Sequence, residues 1–181
     1  MKLLIASDIH GNANAMRQLE ERIGEFSPDK LVLLGDLLYH GPRNDLPNGY
    51  APKEVIPLLN VHKNRIVSVR GNCEAEVDQM VLEFPCMQDC TWVETDGYRF
   101  FATHGHLLNQ PERLPDHSAA NVIMSGHTHI KQLEKLGNQV HLNPGSIGIP
   151  KDGCSSYATY SHGTFKLHAL EDARVLAELT L

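Results

Sequence analysis

The first 82 residues alternate between short apolar runs and segments whose apolar residues recur at helical spacing. The runs predict strands buried on both faces, and they are KLLIAS (2–7), KLVLLGD (30–36) and RIVSVRGN (65–72). Helices are predicted after Asn12, which can cap the start, from Pro52 onward, and over EAEVDQMVL (74–82). This β-α-β-α-β-α order is typical of a mainly parallel sheet covered by helices.

The second half changes to short apolar runs joined by tight turns. The turn pairs that signal hairpins are Asp96-Gly97, Gly137-Asn138 and His162-Gly163. This part of the chain therefore predicts a largely antiparallel sheet. Packed against the first sheet, it gives an α/β protein: a four-layer α/β/β/α sandwich of two mixed β-sheets flanked by helices. The length of 181 residues suits a single domain, residues 1–181.

Composition and charge narrow the class of protein without changing this prediction. The chain is 41% hydrophobic and 21% charged, which is ordinary for a globular protein. The formal net charge of −6 argues against a stable nucleic-acid complex. The N-terminal run MKLLIASDIHG is too short for a signal peptide, and no apolar stretch reaches the ~18 residues of a membrane span.

The spacing of the four cysteines indicates the redox state of the cellular compartment. They lack C-x-x-C spacing and form no disulfide ladder, and they are Cys73, Cys86, Cys90 and Cys154. We therefore expect reduced thiols, a cytoplasmic location and no membrane association.

Polar side chains with metal-binding atoms follow five of the predicted strands. The most concentrated example is GHTH (126–129), which places two imidazoles one residue apart after the run NVIMSG. Ligand sites in open α/β sheets lie at the carboxyl ends of the strands. The full set of strand-end residues is Asp8, His10, Asp36, Asn72, His104, His127 and His129. Each alone is more often a turn residue or cap, but together they predict one metal site.

Seven side chains exceed the four of a tetrahedral site and suit two ions that share one carboxylate. The Asp, Asn and His set lacks thiolate, which suits borderline or hard ions such as Mn²⁺, Fe²⁺ or Zn²⁺. Two divalent ions, two carboxylates and a bridging hydroxide leave one net positive charge. Such a pair attracts an anionic phosphate and can clamp it for in-line displacement.

The blocks SDIHG, GD, GN, H and GHTH, in this order, resemble the calcineurin-like metallophosphoesterase superfamily. HGPRN, THGH and NPGS further resemble its small bacterial YfcE-type phosphodiesterases. The resemblance implies that one ion is held by Asp8, His10 and His129. It implies that the other ion is held by Asn72, His104 and His127, with Asp36 between the two.

The same resemblance implies a metal-dependent phosphoric diester hydrolase, acting on small phosphodiesters such as aryl model substrates through a metal-bridging hydroxide. Together with the ligand set, it makes Mn²⁺ the first expectation, with Zn²⁺, Fe²⁺ or Ni²⁺ as alternatives. Catalytic roles would fall to Asp36, Asn72, Cys73 and His104. Many family members carry histidine where this chain has Cys73, so we expect inefficient protonation of the leaving group. We also expect a homo-oligomer, either a dimer or a tetramer.

Other functions stay open at this point. The retromer scaffold subunit of eukaryotes resembles the same fold and works through protein contacts, so a non-catalytic metal-binding interaction scaffold is the main alternative. A nuclease and a dinucleotide-binding protein are weaker, since extra domains and a G-x-G-x-x-G motif are missing. The long Pro/Gly-rich loop 39–52 is expected to contact substrate or a neighbouring subunit through Arg43 and Asn44, or else to be a solvated loop.

Overall fold

The computed structural model describes residues 1–181, apart from the side chain of Pro111. It has three α-helices: α1 (Ala13–Phe26), α2 (Pro52–Asn60) and α3 (Glu76–Val81). The strands are β1 (Leu3–Ala6), β2 (Lys30–Leu33), β3 (Ile66–Ser68), β4 (Cys90–Thr95), β5 (Tyr98–Thr103), β6 (Val122–Met124), β7 (Lys131–Leu136), β8 (Gln139–Pro144), β9 (Ser156–Ser161), β10 (Thr164–Ala169) and β11 (Val175–Thr180). Each predicted helix and strand is present.

The helices begin where the sequence predicts. The side chain of Asn12 accepts a hydrogen bond from the Ala15 amide at 3.0 Å and caps α1. Pro52 opens α2, where its fixed φ and missing N–H cost nothing. The helix α3 begins with an acidic first turn, and Asp78 reaches back to the Ala75 amide at 2.8 Å. No helix in the described part of the chain is long and apolar enough to cross a membrane.

The first sheet has the order β11-β10-β9-β1-β2-β3. Its strands β1, β2 and β3 are parallel, as predicted, whereas β9 to β11 form an antiparallel meander added beside β1. The expectation that the second half builds its own sheet is therefore wrong for its last three strands. Sequence periodicity reports which face of a strand is buried, and it does not report which strand lies beside it.

The second sheet has the order β4-β5-β6-β8-β7 and is mixed as well. Hairpins join β4 to β5 and β7 to β8, but β5, β6 and β8 run parallel. The predicted antiparallel character therefore holds at its edges and is wrong at its centre. The reason is that the chain crosses the outer face between β5 and β6, which returns it in the same direction.

Two mixed sheets face each other, as the predicted sandwich requires. The core between them includes the rings of Phe100, Tyr160 and Phe165, while the helices cover the far face of the first sheet. Over the far face of the second sheet lies a loop with one short 3-10 turn, Pro111–Arg113, instead of an α-helix. Two prolines, Pro111 and Pro115, disfavour a helix there.

Candidate metal centre

The seven strand-end residues converge at one edge of the sandwich. Imidazole nitrogens lie close to carboxylate oxygens, and His129 Nε2 lies 3.1 Å from Asp8 Oδ1. Asp36 Oδ2 lies 3.7 Å from His10 Nε2 and 3.5 Å from His104 Nε2. A single oxygen of Asp36 therefore faces both a histidine from the first sheet and one from the second. This is the position that a carboxylate shared by two ions would need.

The other two members complete the ring around these residues. Asn72 Oδ1 lies 3.2 Å from His104 Nε2. The ring of His127 is 5.1 Å from that of His104, centroid to centroid, and its backbone N–H donates to Asp8 Oδ2 at 3.0 Å. Asn72 is exposed and His127 is half-buried, so this side of the cluster is open to solvent and to a substrate.

Three imidazoles are oriented by backbone carbonyls behind them. Their Nδ1 atoms lie 2.7 Å from the Tyr39 carbonyl for His10, 2.6 Å from the Leu34 carbonyl for His104, and 2.7 Å from the Ile149 carbonyl for His129. A neutral imidazole that donates from Nδ1 keeps a lone pair on Nε2. All three lone pairs therefore point into the cluster.

The interior of the cluster is rich in acceptors and poor in donors. Asp8 Oδ2 is satisfied by the Ser7 hydroxyl at 2.6 Å, but Asp8 Oδ1 is buried and has no hydrogen-bond donor among the described residues. The Nε2 atoms of His10 and His129 are 3.2 Å apart. Buried lone pairs that face each other repel unless a cation lies between them. The donor set therefore fits divalent metal ions.

The backbone is held in an unusual conformation at this site. Five of the predicted ligands have left-handed φ angles between 49° and 66°: Asp8, His10, Asp36, His127 and His129. Residues other than glycine rarely adopt this region, and each costs on the order of 1 kcal/mol or more. Close packing adds to the constraint, because a Cβ on Gly71 would lie 2.0 Å from Asp36 Oδ1. Strain concentrated at one spot indicates selection for a function there.

The charges of the cluster show how strongly it attracts a cation. Burial by itself raises the pKa of Asp8, but His10 and His129 hold it well below its usual range. Burial by itself lowers the pKa of His104, whereas the Asp36 and Asp8 carboxylates raise it to about 9. The carboxylates thus favour a positive charge at this position, either a proton on His104 Nε2 or a metal ion bound to its lone pair. Protons and metal ions compete for such a site.

Glu74, to which the sequence assigned no role, supports the site from behind. Its buried carboxylate accepts hydrogen bonds from three backbone N–H groups: Asp36 at 2.9 Å, Leu37 at 2.6 Å and Gly71 at 2.5 Å. These bonds tie the turn after β2 to the turn after β3. Burial and the Asp36 charge raise the pKa of Glu74 to about 7 despite these donors. Glu74 therefore positions Asp36.

Cys73 lies beside the cluster, half-buried. Its backbone N–H donates to Asp36 Oδ1 at 2.8 Å, and the Asn72 amide is 3.2 Å from its sulfur. Burial, followed by the charge of Asp36, raises the pKa of the Cys73 thiol well above its usual range. The surrounding protein groups therefore keep the Cys73 thiol protonated.

A polar cavity of about 450 Å³ opens onto the cluster. It is lined by Asp36, Arg43, Asn44, Asn72, His127, Thr128, His129 and Lys151. Arg43 and Asn44 of the loop 39–52 therefore lie at the mouth of the site. Lys151, to which the sequence analysis assigned no role, adds a second cationic side chain.

His106 is a further residue that the sequence analysis assigned no role. Its ring lies 5.3 Å from that of His104 and 6.0 Å from that of His127. Burial, with the nearby His104, lowers the pKa of His106 to about 4, so the ring is neutral. The two histidines of THGH are one residue apart, as are the two histidines of GHTH. This repeated spacing could have indicated that His106 belongs to the site.

Comparison with known proteins agrees with this geometry. A family model for the calcineurin-like phosphoesterase superfamily domain matches residues 1–164. The chain is 43% identical to phosphodiesterase YfcE of Escherichia coli (strain K12) over 182 aligned positions, which cover 100% of this chain and 98% of that protein. It is 26% identical to phosphodiesterase MJ0936 of Methanocaldococcus jannaschii, over 84% of this chain and 91% of that protein.

Solved structures show the same similarity. The structure of the phosphoesterase YfcE from E. coli superposes with a TM-score of 0.92 and covers 99% of both chains. Vps29 of Entamoeba histolytica in complex with zinc reaches a TM-score of 0.64 at 16% identity, over 99% of both chains. At 16% identity, the similarity to Vps29 concerns the fold alone.

Proposed function

The chain belongs to the calcineurin-like phosphoesterase superfamily, and we propose that it hydrolyses small phosphodiesters with two divalent metal ions at the strand ends. It is a hydrolase of the metallophosphoesterase type. The observation that carries the two-ion proposal is the cluster of buried acceptors, in which Asp8 Oδ1 lacks a donor and three Nε2 lone pairs point inward. The similarity to two proteins named phosphodiesterase supports the substrate class.

In this proposal Asp8, His10 and His129 hold one ion, and their ligand atoms lie within 4.8 Å of one another. Asn72, His104 and His127 hold the other, and Asp36 contributes to both. The position of Asp36 Oδ2 between His10 and His104 supports its bridging role. Manganese is the first expectation, with Zn²⁺, Fe²⁺ or Ni²⁺ as alternatives, because the ligands are oxygen and imidazole nitrogen.

Two bound divalent ions would supply an activated water and neutralise charge on the phosphoryl oxygens. The chain's own residues would do the remaining work. Arg43 and Lys151 line the cavity and can bind the anionic oxygens of the phosphate, since a guanidinium offers two parallel donors. Asn72 and His127 stand on the open side of the cluster, where the substrate would enter.

The scaffold alternative is distinguished by the site itself. A metal-binding scaffold needs ligands but no cavity for a substrate, whereas here the ligands open onto a polar cavity that Arg43 and Lys151 line. The direct test is to strip the protein of metal, reload it with each of several divalent ions, and assay phosphomonoesters, phosphodiesters and cyclic nucleotides. Turnover of diesters in the reloaded protein supports the enzyme, whereas binding of metal without turnover of any ester supports the scaffold.

Metal removal gives the first prediction. A chelator should abolish hydrolysis of bis(4-nitrophenyl) phosphate, and added Mn²⁺ should restore it, since the water-activating groups are lost with the ions. Thermal unfolding should shift to lower temperature, because ions that bind the folded state stabilise it. Activity that persists after the chelator has reduced the bound metal, measured by mass spectrometry, would contradict the proposal.

Arg43 gives the second prediction. The change Arg43→Ala should raise KM for a diester by roughly tenfold to a hundredfold, the usual effect of losing a hydrogen bond to a charged group. The control is Arg174→Ala, because Arg174 is exposed and lies outside the cavity. Unchanged kinetics and unchanged oligomer size in Arg43→Ala would mean that the loop is simply solvated.

The remaining properties stay predictions. We propose a cytoplasmic enzyme that acts without a stable nucleic-acid partner and assembles as a dimer or tetramer. The four cysteines are free in the structure, which supports a reducing compartment. Sedimentation of the purified protein measures the oligomeric state directly.

A further inference from the structure

A second cavity, of about 360 Å³, lies next to the metal centre and has the opposite character. Its walls come from helix α2 (Ile56), helix α3 (Val77 and Val81) and the loop 39–52 (Tyr39 and Tyr50). Exposing such a large apolar surface to water costs free energy, so a patch of this kind often marks a binding site. Val77 is 60% exposed, and Tyr39 is 42% exposed. The cavity has the size and character of a site for a small ligand.

Cys73 connects the two cavities. It lines the apolar one, and its sulfur belongs to a group with the ligand atoms of His10 and Asp36 that all lie within 4.8 Å of one another. Its neighbour Asn72 lines the polar cavity. Gly41 packs beside this sulfur, and a Cβ there would come within 3.1 Å of it and within 3.3 Å of Asn44 Nδ2, so a larger residue would crowd the boundary between the cavities. The apolar cavity therefore begins at the edge of the metal centre.

We propose that this apolar cavity binds an aromatic ester group of the substrate, and this inference rests on the proposed function. The two cavities together match a molecule with an anionic phosphate at one end and an apolar arm at the other. Aromatic rings already pack edge to face at the cavity's loop wall, with centroids 4.6 Å apart for Tyr39 and His40 and 5.3 Å apart for His40 and Tyr50. An aromatic arm can join this arrangement with favourable geometry.

The test is equilibrium binding of two phosphonates to the Mn²⁺-loaded protein, measured by calorimetry. Phenylphosphonate and methylphosphonate carry the same anionic group, and neither can be hydrolysed at its C–P bond. We expect phenylphosphonate to bind about tenfold to a hundredfold more tightly, from burial of the ring. In the double variant Val77→Asn, Val81→Asn this preference should fall to about threefold or less, with the affinity for methylphosphonate unchanged.

Val77 and Val81 are four residues apart on α3 and lie on the same face, so the double change alters one wall of the cavity. Met80→Asn is the matched control, since Met80 is 83% exposed on the same helix and does not line the cavity. Met80→Asn should keep the full preference for the phenyl group. Thermal unfolding of all variants checks that the exposed changes leave the fold intact.

The possible failures are distinguishable. Equal affinity for the two phosphonates, or an undiminished preference in the double variant, overturns the proposed subsite and leaves the metal centre in place. A changed oligomeric mass in the double variant with an unchanged preference also overturns it and assigns the surface to a subunit contact. If neither phosphonate binds when Mn²⁺ is loaded, the proposed function itself is wrong, and the subsite fails with it.

Discussion

The change Asp36→Asn is expected to reduce kcat/KM for bis(4-nitrophenyl) phosphate by about a thousandfold, more than any other single ligand change. The reason is the position of Asp36 Oδ2, which is 3.7 Å from His10 Nε2 and 3.5 Å from His104 Nε2. A carboxylate there can neutralise charge on both proposed ions, and an amide of the same shape cannot. The loss should be accompanied by a loss of bound Mn²⁺, measured by mass spectrometry of the purified variant.

The matched comparison is Asp8→Asn, which removes the same charge from a residue proposed to hold one ion. Asp8 is fully buried, as Asp36 nearly is. Its Oδ1 lies nearest to His129 Nε2, at 3.1 Å, and to His10 Nε2, at 3.5 Å, and it is farther from His104 Nε2, at 3.9 Å. Circular dichroism and thermal unfolding of both variants separate a lost function from a lost fold. If the two variants turned over substrate at similar rates with similar metal contents, the bridging role of Asp36 would be contradicted.

The sequence was sufficient to predict the strand ends at which the site is built. Continuous apolar runs that stop at a polar turn identify buried strands and their carboxyl ends without knowledge of the neighbours, and this is how Asp8, Asp36 and Asn72 were found. The hairpins were equally local, because pairs such as Asp96-Gly97 adopt left-handed φ angles. Local conformational preference therefore accounts for nearly all of the elements.

What the sequence could not predict depends on contacts between distant residues. Strand β9 pairs with β1 although more than 140 residues separate them, and alternation of apolar residues contains no information on that pairing. The same holds for Glu74, whose role depends on N–H groups that meet it only after β2 and β3 lie side by side. Lys151 reaches the cavity from a turn after β8 for the same reason. The left-handed backbone of the ligands was likewise not predicted, because aspartate and histidine adopt it much less often than glycine does.

Cys73 gives a further prediction, which concerns the leaving group. In-line displacement at phosphorus expels an alkoxide or aryloxide, and a poor leaving group needs a proton as it departs. Burial raises the pKa of the Cys73 thiol, while two bound cations would lower it. A thiol with a raised pKa donates its proton poorly to the leaving group. A thiolate has no proton to donate. In either state Cys73 is a poor acid, so the enzyme should favour esters with acidic leaving groups such as aryloxides.

The change Cys73→His should therefore speed hydrolysis of diesters with poor leaving groups by roughly tenfold or more, at the low end of the range for general acid catalysis. The imidazole can occupy the edge of the apolar cavity that Cys73 lines, although Gly41 lies close by and limits its orientation. Rates are measured for a series of aryl and alkyl diesters, and their logarithms are plotted against the pKa of the leaving group. The slope should be steep for the native enzyme and shallower for Cys73→His.

Cys73→Ser is the control for this comparison, because it removes the thiol without adding an acid that titrates near neutral pH. Its slope should equal that of the native enzyme, since neither side chain donates a proton efficiently to a departing alkoxide. A slope that flattens only in the histidine variant would establish proton donation from this position, whereas a uniform rise in rate would indicate a change in binding. Parallel lines of equal slope for all three proteins would show that position 73 takes no part in protonating the leaving group.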